Sequence, residues 1–264
     1  MINKLFLIIL ILFLFLLHLG SFFALFFYFN WSLFFVSLFL WQFLAIIGIS
    51  VCYHREITHR SFKSILPLKI FHLSCAMLAG QAGPILWAHV HRIHHKYSDK
   101  DNDPHSPKNG LIRAHFGWIF EQNQRSKNSD FKVVPKDLAD DKILCFFQRL
   151  HFPALIIVFF LLYYFGGIEW FLWLGCFRVT LTLHSAWVIN SLGHFWGYQN
   201  YETKDHSKNN KIIALLTAGE GFHNNHHFMP NSINMGHKKG EIDIAYYYIL
   251  LLKKLGWISN TRSI

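Results

Sequence analysis

The sequence predicts an all-α membrane protein: four transmembrane helices in two hairpins, covered by a cytoplasmic helical cap. Three observations predict it. After Lys4 the next charged residue is Arg55, and a second charge-poor run covers about 152–194. Apolar residues make up 53% of the chain, with 28 Phe, which is ordinary for a membrane protein and unusual for a soluble one. The charges gather on one side: residues 53–149 hold 15 Lys and Arg against 9 Asp and Glu.

The first charge-free run is long enough for two spans, at 5–29 and 32–52, with Asn30 and Trp31 giving a turn and an interfacial aromatic. A cleaved leader fits the first less well, because its apolar run is too long and no small-residue cleavage site follows. Segment 65–88 is apolar but carries Pro67, Lys69, His72 and Pro84, so it reads as an interfacial or partly buried helix. The second run divides into spans at 153–166 and 169–192. Pro153 suits a first helical turn, and two glycines and Glu169 fall in the break. Arg178 lies inside the fourth span, where it either snorkels or pairs with a polar group.

The turns near 30 and 167 contain no Lys or Arg. The excess of positive charge therefore assigns 53–149, and by parity both termini, to the cytoplasm. The reading is one domain over 1–264, with a cap made of 53–149 and 195–264. The net charge of +10 fits this asymmetry better than nucleic-acid binding, because basic and apolar residues are interleaved. Cys52, Cys75, Cys145 and Cys176 form no CxxC, which excludes zinc ribbons, cysteine-held iron–sulfur clusters and thioredoxin chemistry.

Histidine is 18 of 264 residues, and the pattern HxxHH occurs twice, at 91–95 and 223–227. Composition alone predicts about 0.1 copies. In a helix, positions i, i+3 and i+4 share a face. His91, His94 and His95 thus present three imidazoles together, and so do His223, His226 and His227. His54 and His59, spaced i, i+5, suit a helix end that bends as it leaves the membrane. Asn190 and His194 close the last span. Parity brings all four groups to one membrane face, provided 65–88 does not cross. Nine imidazoles exceed the needs of one ion, so two metals are expected. All-nitrogen ligation beside a membrane favours redox iron over zinc, and two irons can activate O2 against the C–H bonds of a lipid chain. A zinc protease is excluded, since Glu56 misses the HExxH spacing. His18, His72, His151, His206 and His237 are expected to be solvated or satisfied by ordinary hydrogen bonds.

The series HxxxxH, HxxHH, NxxxH, HxxHH resembles the membrane fatty acyl desaturases, the stearoyl-CoA desaturase group and its bacterial relatives most closely. The matching stretches are "HREITHRSF", "HRIHHKYSDKDNDPHSP", "AHFGW", "VINSLGH" and "GEGFHNNHH", within 54–227. The resemblance implies that His54, His59, His91, His94, His95, His194, His223, His226 and His227 bind two irons, and that Asn190 acts through a metal-bound water. It implies that Gln81 and Trp87 shape the bend of an acyl tunnel. Asp103, His105 and Glu220 lie in matching motifs and are expected to orient ligand imidazoles. The implied reaction places a cis double bond at carbon 9 of a C16–C18 acyl thioester.

Two departures stand out. Ala186 replaces a Thr of the animal enzymes four residues before Asn190. His89 and Val90 replace an Arg-Asp pair that contacts the CoA headgroup. Coenzyme A, acyl carrier protein and membrane lipid therefore all stay open as carriers. The chain has no haem, flavin or nicotinamide fingerprint, so electrons are expected from a separate protein of cytochrome b5, ferredoxin or rubredoxin type, drawn to the basic face. Two alternatives stand beside desaturation: a hydroxylase or acetylenase on the same metals, and a non-catalytic histidine-rich metal-binding membrane protein.

Overall fold

In a computed structural model, residues 4–121 and 129–263 are described. Helix α1 (Lys4–Phe26) and α2 (Trp31–Leu44) form the first hairpin. Its turn is set by Asn30, whose side-chain oxygen accepts from the Leu33 amide at 3.1 Å, an ordinary N-cap. α2 does not stop where polarity begins. It continues as a π-helix, Ala45–Thr58, well past the expected limit of 52, because the polar residues of this stretch are buried against partners rather than left for water.

Two shorter helices, α3 (Leu66–Ala79) and α4 (Pro84–Tyr97), each begin with a proline in the first turn and meet at 81° across the Gly80–Gly83 break. Gly80 has φ 79°, a left-handed helix terminus for which glycine is suited. α5 (Leu111–His115) follows.

α6 (Lys142–Trp170) starts eleven residues before Pro153, which lies in its interior rather than its first turn. The true start is fixed by Asp141, whose carboxylate accepts from the Ile143 and Leu144 amides at 2.9 and 3.1 Å. The opening turns carry Lys142 and Arg149, so hydropathy alone starts the helix too late. At Gly167 (φ 62°, ψ −158°) the chain leaves helical geometry, in a region open essentially to glycine alone. It then folds back through a short π-helix, Phe171–Phe177, into α7 (Arg178–Ser191). Phe159 and Phe171 pack edge to face across this second hairpin, with centroids 5.4 Å apart. The two hairpin turns meet where Asn30 Nδ2 donates to Glu169 Oε2 at 3.3 Å.

Among the described residues, Leu5–Phe26, Trp31–Thr58 and the folded-back Lys142–His194 are long and apolar enough to cross a membrane. Arg178 is buried and does not snorkel. Its guanidinium donates to Leu174 O and Leu78 O, each at 2.7 Å, tying the last turn of α3 to α7. The cap is completed by α8 (Lys211–Leu216), α9 (His223–Phe228), α10 (Ile244–Lys254) and a two-stranded antiparallel sheet, β1 (Lys63–Ser64) with β2 (Ile258–Ser259). The apolar core sits between the π-helical end of α2, α3 and the first turns of α6, around Tyr53, Leu73, Ala76, Leu144 and Phe147.

Candidate metal centre

The nine histidines singled out in the sequence come together as two groups. His54, His59, His91, His95 and His226 offer ring nitrogens within 4.8 Å of one another, and His94, His194, His223 and His227 do the same. The groups adjoin: the His95 and His227 rings stack with centroids 4.4 Å apart.

Each contributing element has a local reason. On α4 the i, i+3, i+4 spacing sends His91 and His95 to one group and His94 to the other. His54 and His59 are united by the π-helix rather than by a bent α-helical end. With i→i+5 bonding, His59 N–H donates to His54 O at 3.1 Å, and the two rings lie 4.9 Å apart. α9 has six residues, too short to persist alone. Its two asparagines anchor it. Asn224 Oδ1 accepts from the Asn200 and Tyr201 amides at 2.9 and 3.0 Å. Asn225 Nδ2 donates to Met235 O and Glu241 Oε2 at 2.8 and 2.7 Å. That leaves His223, His226 and His227 to face the centre.

Four carboxylates brace the imidazoles from behind. Asp103 Oδ1 accepts from His94 Nδ1 at 2.9 Å, Asp99 Oδ2 from His194 Nδ1 at 3.0 Å, and Asp205 Oδ2 from His227 Nδ1 at 2.8 Å. Glu220 faces His54 Nδ1 and is itself held by Arg55 at 3.0 Å, whose other arm meets Asp243 at 2.8 Å. A proton held on Nδ1 leaves the Nε2 lone pair pointing inward, the arrangement found behind metal-binding histidines. His105 acts differently. Its backbone N–H donates to Asp103 Oδ1 at 3.1 Å, and its ring lies 4.3 Å from that of His94.

The electrostatics agree with this packing. Burial, then neighbouring imidazoles, holds His91, His95, His223, His226 and His227 well below the ordinary imidazole range. His94 goes the other way: burial disfavours its charge, but Asp103 outweighs burial. The donor set fits metal ions on two observations. His59 Nε2 and His94 Nε2 are buried without hydrogen-bond partners. His95 Nε2 also lies within 3.0 Å of both His91 Nε2 and His226 Nε2, lone pairs that a single proton cannot satisfy together.

A cavity of about 420 Å³ adjoins the histidines and is lined by His54, His91 and His223, by many apolar side chains, and by polar ones that include Gln148, His151 and Glu220. The volume is in the usual range of roughly 300–1,000 Å³ for small-molecule sites. Gln81, Trp87, Ala186 and Asn190 all line it. Gln81 Nε2 donates to Thr182 O at 2.6 Å, and Trp87 Nε1 donates to Gln81 Oε1 at 3.2 Å. Sequence reasoning missed Asp99 and Asp205, which lie 95 and 22 residues from the histidines they support, and Arg55 and Asp243, which act through Glu220. His72, set aside earlier, is satisfied by Glu56 and Tyr248, each at 3.1 Å. His18 is also bonded, to His184, with Nε2 atoms 3.0 Å apart.

Comparison with known proteins agrees with this geometry. A family model described as fatty acid desaturase matches residues 30–249. The chain is 36% identical over 247 residues to an sn-1 stearoyl-lipid 9-desaturase of Anabaena variabilis, covering 93% of this chain and 90% of that one. It is 36% identical over 236 residues to an acyl-CoA 5-desaturase of Anemone leveillei, covering 89% and 74%. It is 36% identical over 216 residues to a Delta-9 acyl-lipid desaturase of Arabidopsis thaliana, covering 82% and 71%. With nine imidazoles in two groups beside an apolar cavity and these relatives, the chain belongs to the fatty acid desaturase family and is an oxidoreductase acting on fatty acyl chains in a membrane setting.

Proposed function

We propose that the protein removes two hydrogens from the middle of a saturated C16–C18 acyl chain, leaving a cis double bond at carbon 9. The balance takes one O2, two electrons and two protons, and yields the alkene and two waters. Two iron ions, one per histidine group, would supply the dioxygen chemistry, and an external protein the electrons. Four helical arms would cross the bilayer, with both termini and the centre on the cytoplasmic side. The observation that carries the reading is the division of nine imidazoles into five and four at the wall of an apolar cavity.

The chain's own residues divide the work. Trp87, held by Gln81, is a rigid wall beside His91, with rings 5.1 Å apart. A saturated chain lying against it is bent next to the metals, and a bent chain loses its hydrogens to give the cis product. Ala186 lines the same cavity with a small side chain. Asn190, on the last turn of α7, would hold a water at the four-histidine position, where one ligand fewer is present. Glu220, Asp99, Asp103 and Asp205 hold ligand protons at Nδ1. The largely apolar wall excludes water from the chain.

The test joins composition to product. Protein expressed with ample iron is expected to carry about two irons per chain, and His226→Ala to lose activity while remaining in the membrane. Lipids from an expressing host that makes no unsaturated fatty acids should show a mid-chain cis alkene by gas chromatography after double-bond derivatisation. A hydroxylated or acetylenic product would replace the reaction while keeping the site. One zinc per chain and no iron would remove the diiron reading.

A further inference from the structure

Most polar side chains that line the cavity are already bonded inside the protein. Ser50 is held by Arg55 and Glu220, and Gln81 by Thr182 and Trp87. Ser185 donates to Thr182 O at 2.9 Å, and Thr217 to Ile213 O at 2.7 Å. Gln148 and His151 of α6 also line the cavity, and each keeps a polar atom unused. They sit at i and i+3, on one helical face. Gln148 uses only its oxygen, which accepts from the Ile85 and Leu86 amides at 3.0 and 3.1 Å. Those two bonds fix the amide and leave its Nε2 protons without a partner among the described residues.

From the sequence, His151 is expected to be solvated or satisfied by ordinary hydrogen bonds. It is neither: the residue is half-buried, and Nδ1 is sealed off with no hydrogen-bond partner. A neutral imidazole carries one N–H and one lone pair. With nothing for Nδ1 to bond, the proton is better placed on Nε2, the nitrogen that is not sealed off, where a molecule in the cavity can accept it. Gln148 and His151 thus offer two donors to the cavity and no free acceptor. A carbonyl oxygen, with two lone pairs and no proton of its own, matches such a pair. A hydroxyl or an amine would bring a proton with nowhere to go.

We infer that Gln148 and His151 bind the carbonyl oxygen of the acyl group and so set which carbon meets the histidines. The inference rests on the reading of this cavity as the acyl site of a desaturase, and it holds for an ester and a thioester alike. Distances along α4 support it. Gln148 is anchored at the start of that helix, and His91 lies eight residues beyond Gly83, a rise of about 12 Å. An extended chain advances about 3.6 Å over three bonds, so the eight bonds from the carbonyl carbon to carbon 9 cover about 10 Å. A carbonyl held at the pair therefore brings carbons 9 and 10 abreast of His91 and of the Trp87 ring stacked on it, with centroids 5.1 Å apart.

Competition binding tests this without relying on turnover. The metal-replete full chain in detergent receives radiolabelled methyl stearate, which is displaced by unlabelled methyl stearate or by octadecyl methyl ether, its counterpart without the carbonyl. The wild type is expected to bind the ester at least about fivefold more tightly than the ether, the worth of one ordinary hydrogen bond. His151→Phe combined with Gln148→Glu, which keeps the cap oxygen but loses the amide donor, should abolish that preference. His151→Gln, which keeps a donor, should retain it. Ala186→Trp, which fills the cavity, should abolish binding of both ligands. In an expressing host fed saturated C16 and C18 acids, the double variant should spread the double bond over several carbons with iron content unchanged. Equal wild-type affinity for ester and ether, an unchanged preference in the double variant, or a single unaltered double-bond position in its product would overturn the inference and leave the desaturase reading standing. Binding that survives Ala186→Trp would remove the cavity as the acyl site, and both readings with it.

Discussion

His194 and Asp99 lie 95 residues apart in the chain, yet Nδ1 of the one donates to Oδ2 of the other at 3.0 Å, with both side chains buried. The same carboxylate oxygen accepts the backbone N–H of His206 at 2.7 Å, which fixes the carboxylate as well as the imidazole. Burial works against the Asp99 charge, but His194 outweighs it and holds the carboxyl below its usual range. Asp99→Asn preserves shape and removes the charge that keeps the proton on Nδ1. Partners of this kind are worth roughly 10–100-fold in metal affinity. We expect a loss of that size in iron retention against a competing chelator, while His206→Ala, which keeps its backbone N–H, retains iron like the wild type. Equal retention by Asp99→Asn would show that this carboxylate does not support the centre.

The Gln81 amide is the hinge between two walls of the cavity, donating to Thr182 O and accepting from Trp87 Nε1. Gln81→Leu leaves that carbonyl and that indole N–H without partners. Each hydrogen bond lost costs about 1 kcal/mol, enough to free the Trp87 ring but not to unfold the protein. The expected result is a spread of double-bond positions with iron content unchanged. A single unaltered product would mean that Trp87 is held by packing alone.

The histidine groups were legible because helical spacing is written locally: three imidazoles at i, i+3, i+4 declare a shared face whatever surrounds them. Of the four braces, Asp103 and Glu220 were reached through the resemblance, and Asp99 and Asp205 were not. Asp99 and Asp205 are ordinary loop carboxylates until tertiary structure brings them behind His194 and His227. The i, i+5 spacing of His54 and His59 suggested a bending helix end, since an α-helical period was assumed where the chain adopts a π-helix. The helix ends differ from the limits read by hydropathy for a related reason. Hydropathy marks where polarity begins, but the α2 extension buries His54, Arg55 and Glu56 against partners, and α6 begins in polar turns well before Pro153.

The start of α4 depends on a residue from another helix. Gly83 has no side chain to cap the helix, and Gln148 of α6 does so instead, its Oε1 accepting from the Ile85 and Leu86 amides at 3.0 and 3.1 Å. A Cβ at position 83 would run into that amide. Gln148→Leu removes the acceptor from two N-terminal amides, and loss of a cap typically costs about 1 kcal/mol. Both Gln148→Leu and Gly83→Ala are expected to lower the unfolding temperature in detergent, with Gln148→Glu close to wild type because a carboxylate suits a helix N-terminus. Indifference to all three would place the anchoring of α4 elsewhere.

The acid stability of the metal-free protein follows from the imidazoles that burial keeps neutral. His91, His95, His223, His226 and His227 are all depressed in the folded chain, by burial first and by one another second. In the unfolded chain they regain the ordinary value of about 6.5. As pH falls through that value the unfolded state takes up protons that the folded state refuses. Stability is therefore fully present above about pH 6.5 and is lost progressively below it, toward the folded-state values. His94, raised by Asp103, opposes the trend, but it is outnumbered by these five together with His59 and His105, which burial also depresses. Bound metal competes for the same lone pairs and should move the loss to lower pH. Denaturant unfolding of the chelated protein between pH 8 and 5 should show the decline beginning near 6.5, with metal-replete protein declining later. A chelated protein as stable at pH 5 as at pH 8 would mean that the histidine groups open and hydrate once the metals leave.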